Sequence, residues 1–211
     1  MGTKKPGLIA ELVVLFIATP ILLITPLPIW LKPIIVLTGL IYCIQISRKL
    51  KLFTKNDLLR PHLTENFKPI IPRVIVVMLA TLALMFWLDP DHLFIVVRKN
   101  PLMWVSISIF YSLFSVYPQE FLYRSYFFKR YESLFTKDYL LILINALVFS
   151  LAHIIFFNDL VLILTLLGGI LFGLTYRKTQ SLMFVSIEHS IYGVWLFTIG
   201  MGEMLAFPMP E

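Results

Sequence analysis

The chain of 211 residues is 59% hydrophobic and 14% charged, with a net charge of +6. A soluble domain is roughly half apolar and about a quarter charged, so this balance excludes an ordinary soluble fold. The single cysteine, Cys43, excludes an intramolecular disulfide and a thiolate metal cluster; the cations lie beside apolar segments, which argues against a nucleic-acid-binding patch.

The apolar residues gather into segments near 20 residues long, the length a helix needs to cross hydrocarbon. Seven spans are predicted, at 8–25, 29–46, 70–88, 102–131, 139–157, 159–176 and 181–201, or eight if the long fourth one divides. The fold class is therefore all-α, a polytopic transmembrane bundle. The basic start Met1–Pro6 before the apolar run 8–24 has the look of a secretory signal, but no small-residue cleavage site follows, so the segment reads as a retained span. Gly2 without Ser or Thr at position 6 argues against myristoylation. Pro26 and Pro28 part the first span from the second, and residues 48–73 form a basic polar loop. Asp89-Pro90-Asp91 separates the third span from the fourth. Pro118 lies inside the fourth, where a missing backbone donor predicts a break or kink near Tyr117. Asn158-Asp159 predicts a tight turn, and Gly168, Gly169 and Gly173 give the sixth span a small-residue packing face. The organisation expected is one membrane domain, with N-terminal helices in 1–101 and a core in 102–211.

A cytoplasmic N-terminus puts Lys4, Lys5, the cations of the 48–73 loop, Arg124, Lys129, Arg130, Lys137, Arg177 and Lys178 on or toward the cytoplasmic side. Lys32, Arg98 and Lys99 fall opposite, together with Asp89, Asp91, Asp159, Glu203 and Glu211. That asymmetry obeys the positive-inside rule.

Glu120, His153 and His189 are ionisable groups within apolar spans, where burial is costly and usually marks function. Helix rise places them roughly 16, 21 and 12 Å from the cytoplasmic ends, compatible with one cavity. Glu120 and Arg124 are four apart and share a helix face. Asn145, Phe149 and His153 form one stripe, with Asn145 expected to bond another helix. Tyr192 and Gly193 follow on the His189 face, whereas Glu188 points about 100° away and reads as a cavity acid or, the preferred expectation, as a partner of Arg177-Lys178. His62 and His92 read as solvated loop residues, and the aromatics Tyr123, Tyr126, Phe127, Phe128 and Tyr131 as lipid contact and interfacial belt.

Gln119-Glu120-x-x-x-Arg124, Phe149-x-x-x-His153 and His189 on a later span resemble the motifs of the CPBP family of intramembrane proteases. That family includes CAAX-prenyl endopeptidases, bacteriocin-processing proteins and Abi-type self-immunity proteins. The similarity covers 102–201 and implies hydrolysis of a peptide or lipidated-peptide bond in a bacterial inner membrane, with substrate arriving from the cytoplasmic side or the bilayer. The family's first glutamate and first histidine activate water, and its last histidine and an asparagine four residues on hold the oxyanion. Here Gln119 stands for the first glutamate and Gly193 for the asparagine. A carboxamide cannot take a proton from water, so the expected roles are Glu120 as base or, with Gln119, as orienter of the water. His153 is then the second activating group, His189 the oxyanion donor and Arg124 the partner that fixes Glu120. No cofactor is predicted, although Glu120, His153 and His189 could form a zinc site. Two other readings are a degenerate peptide-binding scaffold or self-immunity factor, and a bis-histidine haem protein with His153 and His189 as ligands. Gln119 facing the cavity with Glu120 turned away would remove the base role from Glu120 and favour the scaffold.

Overall fold

The computed structural model describes residues 5–53, 68, 70–205 and 207. His62, Lys4, Glu211 and most of the 48–73 loop lie outside them. The described residues form an all-α bundle: α1 (Lys5–Leu23), α2 (Leu31–Lys49), α3 (Ile71–Leu88), α4 (Pro101–Leu134), α5 (Asp138–Leu151), α6 (Asp159–Thr179) and α7 (Leu182–Thr198). Six segments, with α5 extended to Phe156, are long and apolar enough to cross a membrane, and α7 is a shorter apolar helix. The protein is an integral membrane protein.

α4 runs through Pro118 without the predicted break. Its turns widen to π-helix at Tyr111–Val116 and again at Phe121–Tyr126, on either side of a short α-helical piece containing the proline. α1 does the same, with π-helical Val14–Ala18 just before Pro20. A proline cannot donate to the carbonyl four residues back, and a locally wider helix re-pairs the neighbouring groups instead of snapping. α4 is thus continuous over its 34 residues.

Close packing comes from small residues. A Cβ at Gly169 would stand 2.9 Å from Ala146 Cα, and one at Gly173 would stand 3.0 Å from the Ile142 side chain. The small-residue face of α6 therefore lies against α5, as its spacing predicts. The turn before α6 also matches expectation: Phe157 adopts a left-handed conformation, and the Asn158 side chain caps the helix by accepting from the Val161 amide at 3.1 Å.

The aromatic run of α4 contradicts its lipid-belt reading. Tyr123, Tyr126, Phe127, Phe128 and Tyr131 are buried. Phe16 of α1 meets Tyr123, Phe127 and Tyr131 edge-on, with centroids 5.3, 5.2 and 5.9 Å away. They are core because α1 covers them, and lipid and protein interior are equally apolar, so composition carries no sign of which is faced.

Three ion-pair networks tie the helices together at the end where most cations lie. Glu11 of α1 accepts from the Tyr126 hydroxyl at 2.6 Å, the Tyr131 hydroxyl at 2.9 Å and Arg130 Nη2 at 2.6 Å. Arg73 of α3 donates to Glu188 of α7 at 2.5 Å and to Thr175 of α6 at 2.6 Å. Arg177 binds Asp138 and Glu132, each at 2.8 Å. Glu188 is therefore not the partner of Arg177 or Lys178. Arg177 is taken by carboxylates at the start of α5 and the end of α4, and Arg73 reaches Glu188 first.

Candidate active site

Between α1, α2 and the later helices lies a cavity of about 520 Å³. Its polar wall carries Tyr111, Ser115, Gln119, His153 and His189. Glu120 is not on that wall. It is fully buried one residue behind Gln119, and neither it nor Arg124 is exposed at all.

Glu120 Oε1 lies 2.8 Å from His189 Nδ1, and its Oε2 lies 3.4 Å from Arg124 Nε. A carboxylate can only accept, so Nδ1 of His189 carries the proton and Nε2 presents a lone pair. That lone pair is met by the Tyr111 hydroxyl at 3.1 Å. The imidazole is further fixed by Phe172, stacked on it at 4.5 Å. Arg124 carries its guanidinium over the Phe149 ring at 4.5 Å, and its terminal nitrogens have no hydrogen-bond partner among the described residues. Its charge is offset by Glu120 and by ring faces.

His153 sits just past the end of α5, in the turn before the 3-10 segment Ile154–Phe156. Its Nδ1 lies 2.8 Å from the Phe149 carbonyl. A carbonyl can only accept, so Nδ1 is the donor and the neutral ring keeps its lone pair on Nε2. Asn145, on the same stripe, bonds another helix as expected: its Nδ2 donates to the Tyr123 carbonyl at 2.5 Å. Gln119 donates from Nε2 to Ser115 Oγ at 2.8 Å, which leaves its Oε1 without a partner among the described residues.

Tyr111 is the site residue that sequence reasoning missed. Its signal was indirect: Gly193, one turn beyond His189, leaves an open notch on the imidazole's own face. The phenol fills that notch so closely that a Cβ at Gly193 would overlap the Tyr111 ring and hydroxyl.

Two ligand readings fare differently from the geometry they need. For zinc, Glu120 commits one oxygen to His189 and turns the other to Arg124, and no group of three His, Cys, Asp or Glu side chains among the described residues could hold a metal. For haem, Phe149 lies against both imidazoles, 4.8 Å from His153 and 5.7 Å from His189 between centroids.

Residues 101–195 match the family model described as Rce1-like, type II CAAX prenyl endopeptidase. The match spans all three motifs, and over this stretch the resemblance to CPBP intramembrane proteases is shown. No curated protein and no solved structure matches the chain.

Proposed function

We propose, from the premise that residues 101–195 are a type II CAAX prenyl endopeptidase-like region, that this chain is an intramembrane endopeptidase acting on a peptide or lipidated peptide. We place it in a bacterial inner membrane with its N-terminus in the cytoplasm, the core of the activity in 102–211 and the cavity completed by the helices of 1–101.

The observation that carries the reading is the bond from His153 Nδ1 to the Phe149 carbonyl, which leaves Nε2 free as a base on the same wall as Gln119 and His189. In this reading Gln119 Oε1 orients a water. As the water oxygen bonds the scissile carbonyl carbon, its proton passes to His153 Nε2 and the carbonyl electron pair moves to oxygen. The Tyr111 hydroxyl, turning from His189 Nε2, donates to that oxyanion. His153 then returns the proton to the amide nitrogen as the C–N bond breaks, leaving a carboxylic acid and an amine. Glu120 is a positioning residue that holds His189, with Arg124 in turn holding Glu120. A general base typically contributes about 10²–10⁴-fold, enough for His153 to replace the carboxylate that Gln119 lacks.

The test is hydrolysis of a fluorogenic prenylated CAAX peptide by the purified protein in detergent, with His153→Ala and Glu120→Ala alongside. Cleavage by wild type that falls at least a hundredfold in His153→Ala supports the reading. Equal background from all three overturns it. That outcome would favour the second reading, a peptide-binding scaffold or self-immunity factor, for which the carboxamide at position 119 and the inward turn of Glu120 speak.

A further inference from the structure

Among the described residues the cavity is walled at one end of the bundle, and its lining continues to the other, with Val36 and Leu167 of that lining also exposed on the outside of the helices. Its innermost lining residues are Val77, Tyr123, Phe172 and Cys43, about mid-helix. Beyond them toward the basic end stand the Glu11–Arg130 and Arg73–Glu188 networks, which bind α1 to α4 and α3 to α6 and α7. In the other direction the lining continues past Thr165 to Leu23, the last residue of α1, and to Leu205 and Phe207 beyond α7. A smaller second cavity, which includes Asn158 and Glu203, shares Ile155, Phe156 and Met204 with the first and carries it toward the surface there. The open end carries Asp89, Asp91, Asp159 and Glu203 together with Lys32, Arg98 and Lys99; the other end carries Lys49, Lys129, Lys137, Arg177 and Lys178 together with Glu132 and Asp138, so the excess of cations lies at the walled end.

Basic residues mark the cytoplasmic side of membrane proteins. We infer that the cavity opens to the non-cytoplasmic face, and not to the cytoplasmic side that the family resemblance implies, so that its ligand is an exported peptide tethered by an apolar chain and presented at the outer leaflet. The chemistry of the lining selects that ligand. Much of the remaining lining is aliphatic, with Leu15, Leu23, Ile35, Val36 and Leu40 among it, and is suited to a hydrocarbon chain. The hydrogen-bonding groups that would meet a peptide bond are gathered at Tyr111, Gln119, His153 and His189. The nature of this ligand rests on the peptidase reading; the side from which it enters does not.

Thiol accessibility measures the side directly, without any hydrolysis. In a Cys43→Ser background, single cysteines replace Thr165 in the cavity, Leu102 at the outer end and Lys178 at the basic end. Intact spheroplasts are treated with a membrane-impermeant cationic methanethiosulfonate. Labelling of Leu102→Cys and Thr165→Cys at least tenfold faster than of Lys178→Cys, with the difference abolished by permeabilisation, is the expected result. Thr165→Cys labelling only after permeabilisation, or not at all, overturns the inference, as does labelling of Lys178→Cys in intact spheroplasts. A prenylated pentapeptide added from outside should then slow labelling of Thr165→Cys severalfold and leave Leu102→Cys unchanged. No protection would overturn the assigned ligand. A protein that passes these tests but cleaves nothing would lose the peptidase reading while keeping its outward cavity.

Discussion

Glu120 and His189 stand 69 residues apart in the chain and 2.8 Å apart in space, the fully buried carboxylate receiving the Nδ1 proton of the imidazole. This contact fixes which nitrogen of His189 faces the cavity, and it turns the only carboxylate of the three motifs away from any substrate. A carboxylate that holds a histidine acts on reactivity through orientation and tautomer.

Replacing Glu120 by Gln therefore removes charge while keeping shape. The carboxamide can present its NH₂ to Nδ1, which reverses the tautomer of His189. Hydrolysis of the prenylated CAAX peptide should fall by about two orders of magnitude in kcat or more, with KM little changed. Thermal stability should fall as well, because Arg124 is left as an unpaired buried charge, a loss of roughly 3–5 kcal/mol when one partner of such a pair is removed. Unchanged kcat in Glu120→Gln would show that the pair has no part in the reaction.

Tyr111 and Gly193 are a lock and its seat, so they should fail in a coupled way. Tyr111→Phe deletes one hydroxyl with the ring in place. If that hydroxyl serves the oxyanion, kcat should drop by about 10²–10³-fold at nearly constant KM, the cost of losing one such donor. Gly193→Asn should be worse, since its Cβ needs the volume of the phenol. Tyr111→Ala with Gly193→Asn clears that volume and offers an amide donor from the same helix face. Partial recovery of kcat over Gly193→Asn alone is expected, and a double variant no better than the single would count against the role of Tyr111.

The bundle was legible because apolar runs of membrane-spanning length leave little choice of structure, and the order of three short motifs pointed to Glu120, Arg124, His153 and His189. What the residues face was not legible. Tyr123 through Tyr131 look identical to a lipid belt because hydrocarbon and protein core reward the same side chains. Glu11 and Arg73 belong to no motif, and their partners Tyr131 and Glu188 lie 120 and 115 residues away in the chain. The π-helical turns beside Pro20 and Pro118 were hidden too, because a proline in sequence announces a lost hydrogen bond without saying whether the helix breaks or widens. Glu120 and Gln119 are adjacent, and only the path of the helix decides which of them meets the cavity.

In the turn after α3, His92 Nδ1 lies 2.7 Å from Asp89 Oδ1, and this hydrogen bond raises the histidine above its ordinary value. Whatever stability the pair adds is complete below about 6.5, the ordinary value for histidine, and is lost as pH rises through the higher folded value. Titrating the His92 C2 proton by NMR should give a midpoint above that of Asp89→Asn. Equal midpoints would show that the carboxylate does not engage the ring in solution.

Gly169 offers a packing test far from the chemistry. A Cβ there meets the Ala146 backbone at 2.9 Å, and a backbone cannot swing aside as the end of a side chain can. Gly169→Ala should push α6 from α5, while Gly168→Ala, which meets only the Phe172 ring at 3.2 Å, should be milder. Overpacking costs typically about 1–3 kcal/mol, so Gly169→Ala should lower the midpoint of thermal unfolding in detergent by more than Gly168→Ala. The reverse order would be inconsistent with this helix contact.

The Arg73–Glu188 pair should reveal itself by non-additivity. Glu188 is 1% exposed and Arg73 25% exposed in their side chains, so the carboxylate suffers more from losing its partner than the guanidinium does. Arg73→Met leaves Glu188 without its hydrogen-bonded cation, beside the Thr175 and Tyr192 hydroxyls, whereas Glu188→Met frees an arginine that can still reach water. Arg73→Met should therefore lower thermal stability more than Glu188→Met. The double methionine variant removes both charges and fills similar volume, and such replacements of buried pairs are often neutral or stabilising. Its melting temperature should lie above that of Arg73→Met. If the double variant instead loses the sum of the two single losses, the residues act independently, and the pair does not serve as a closure of the basic end.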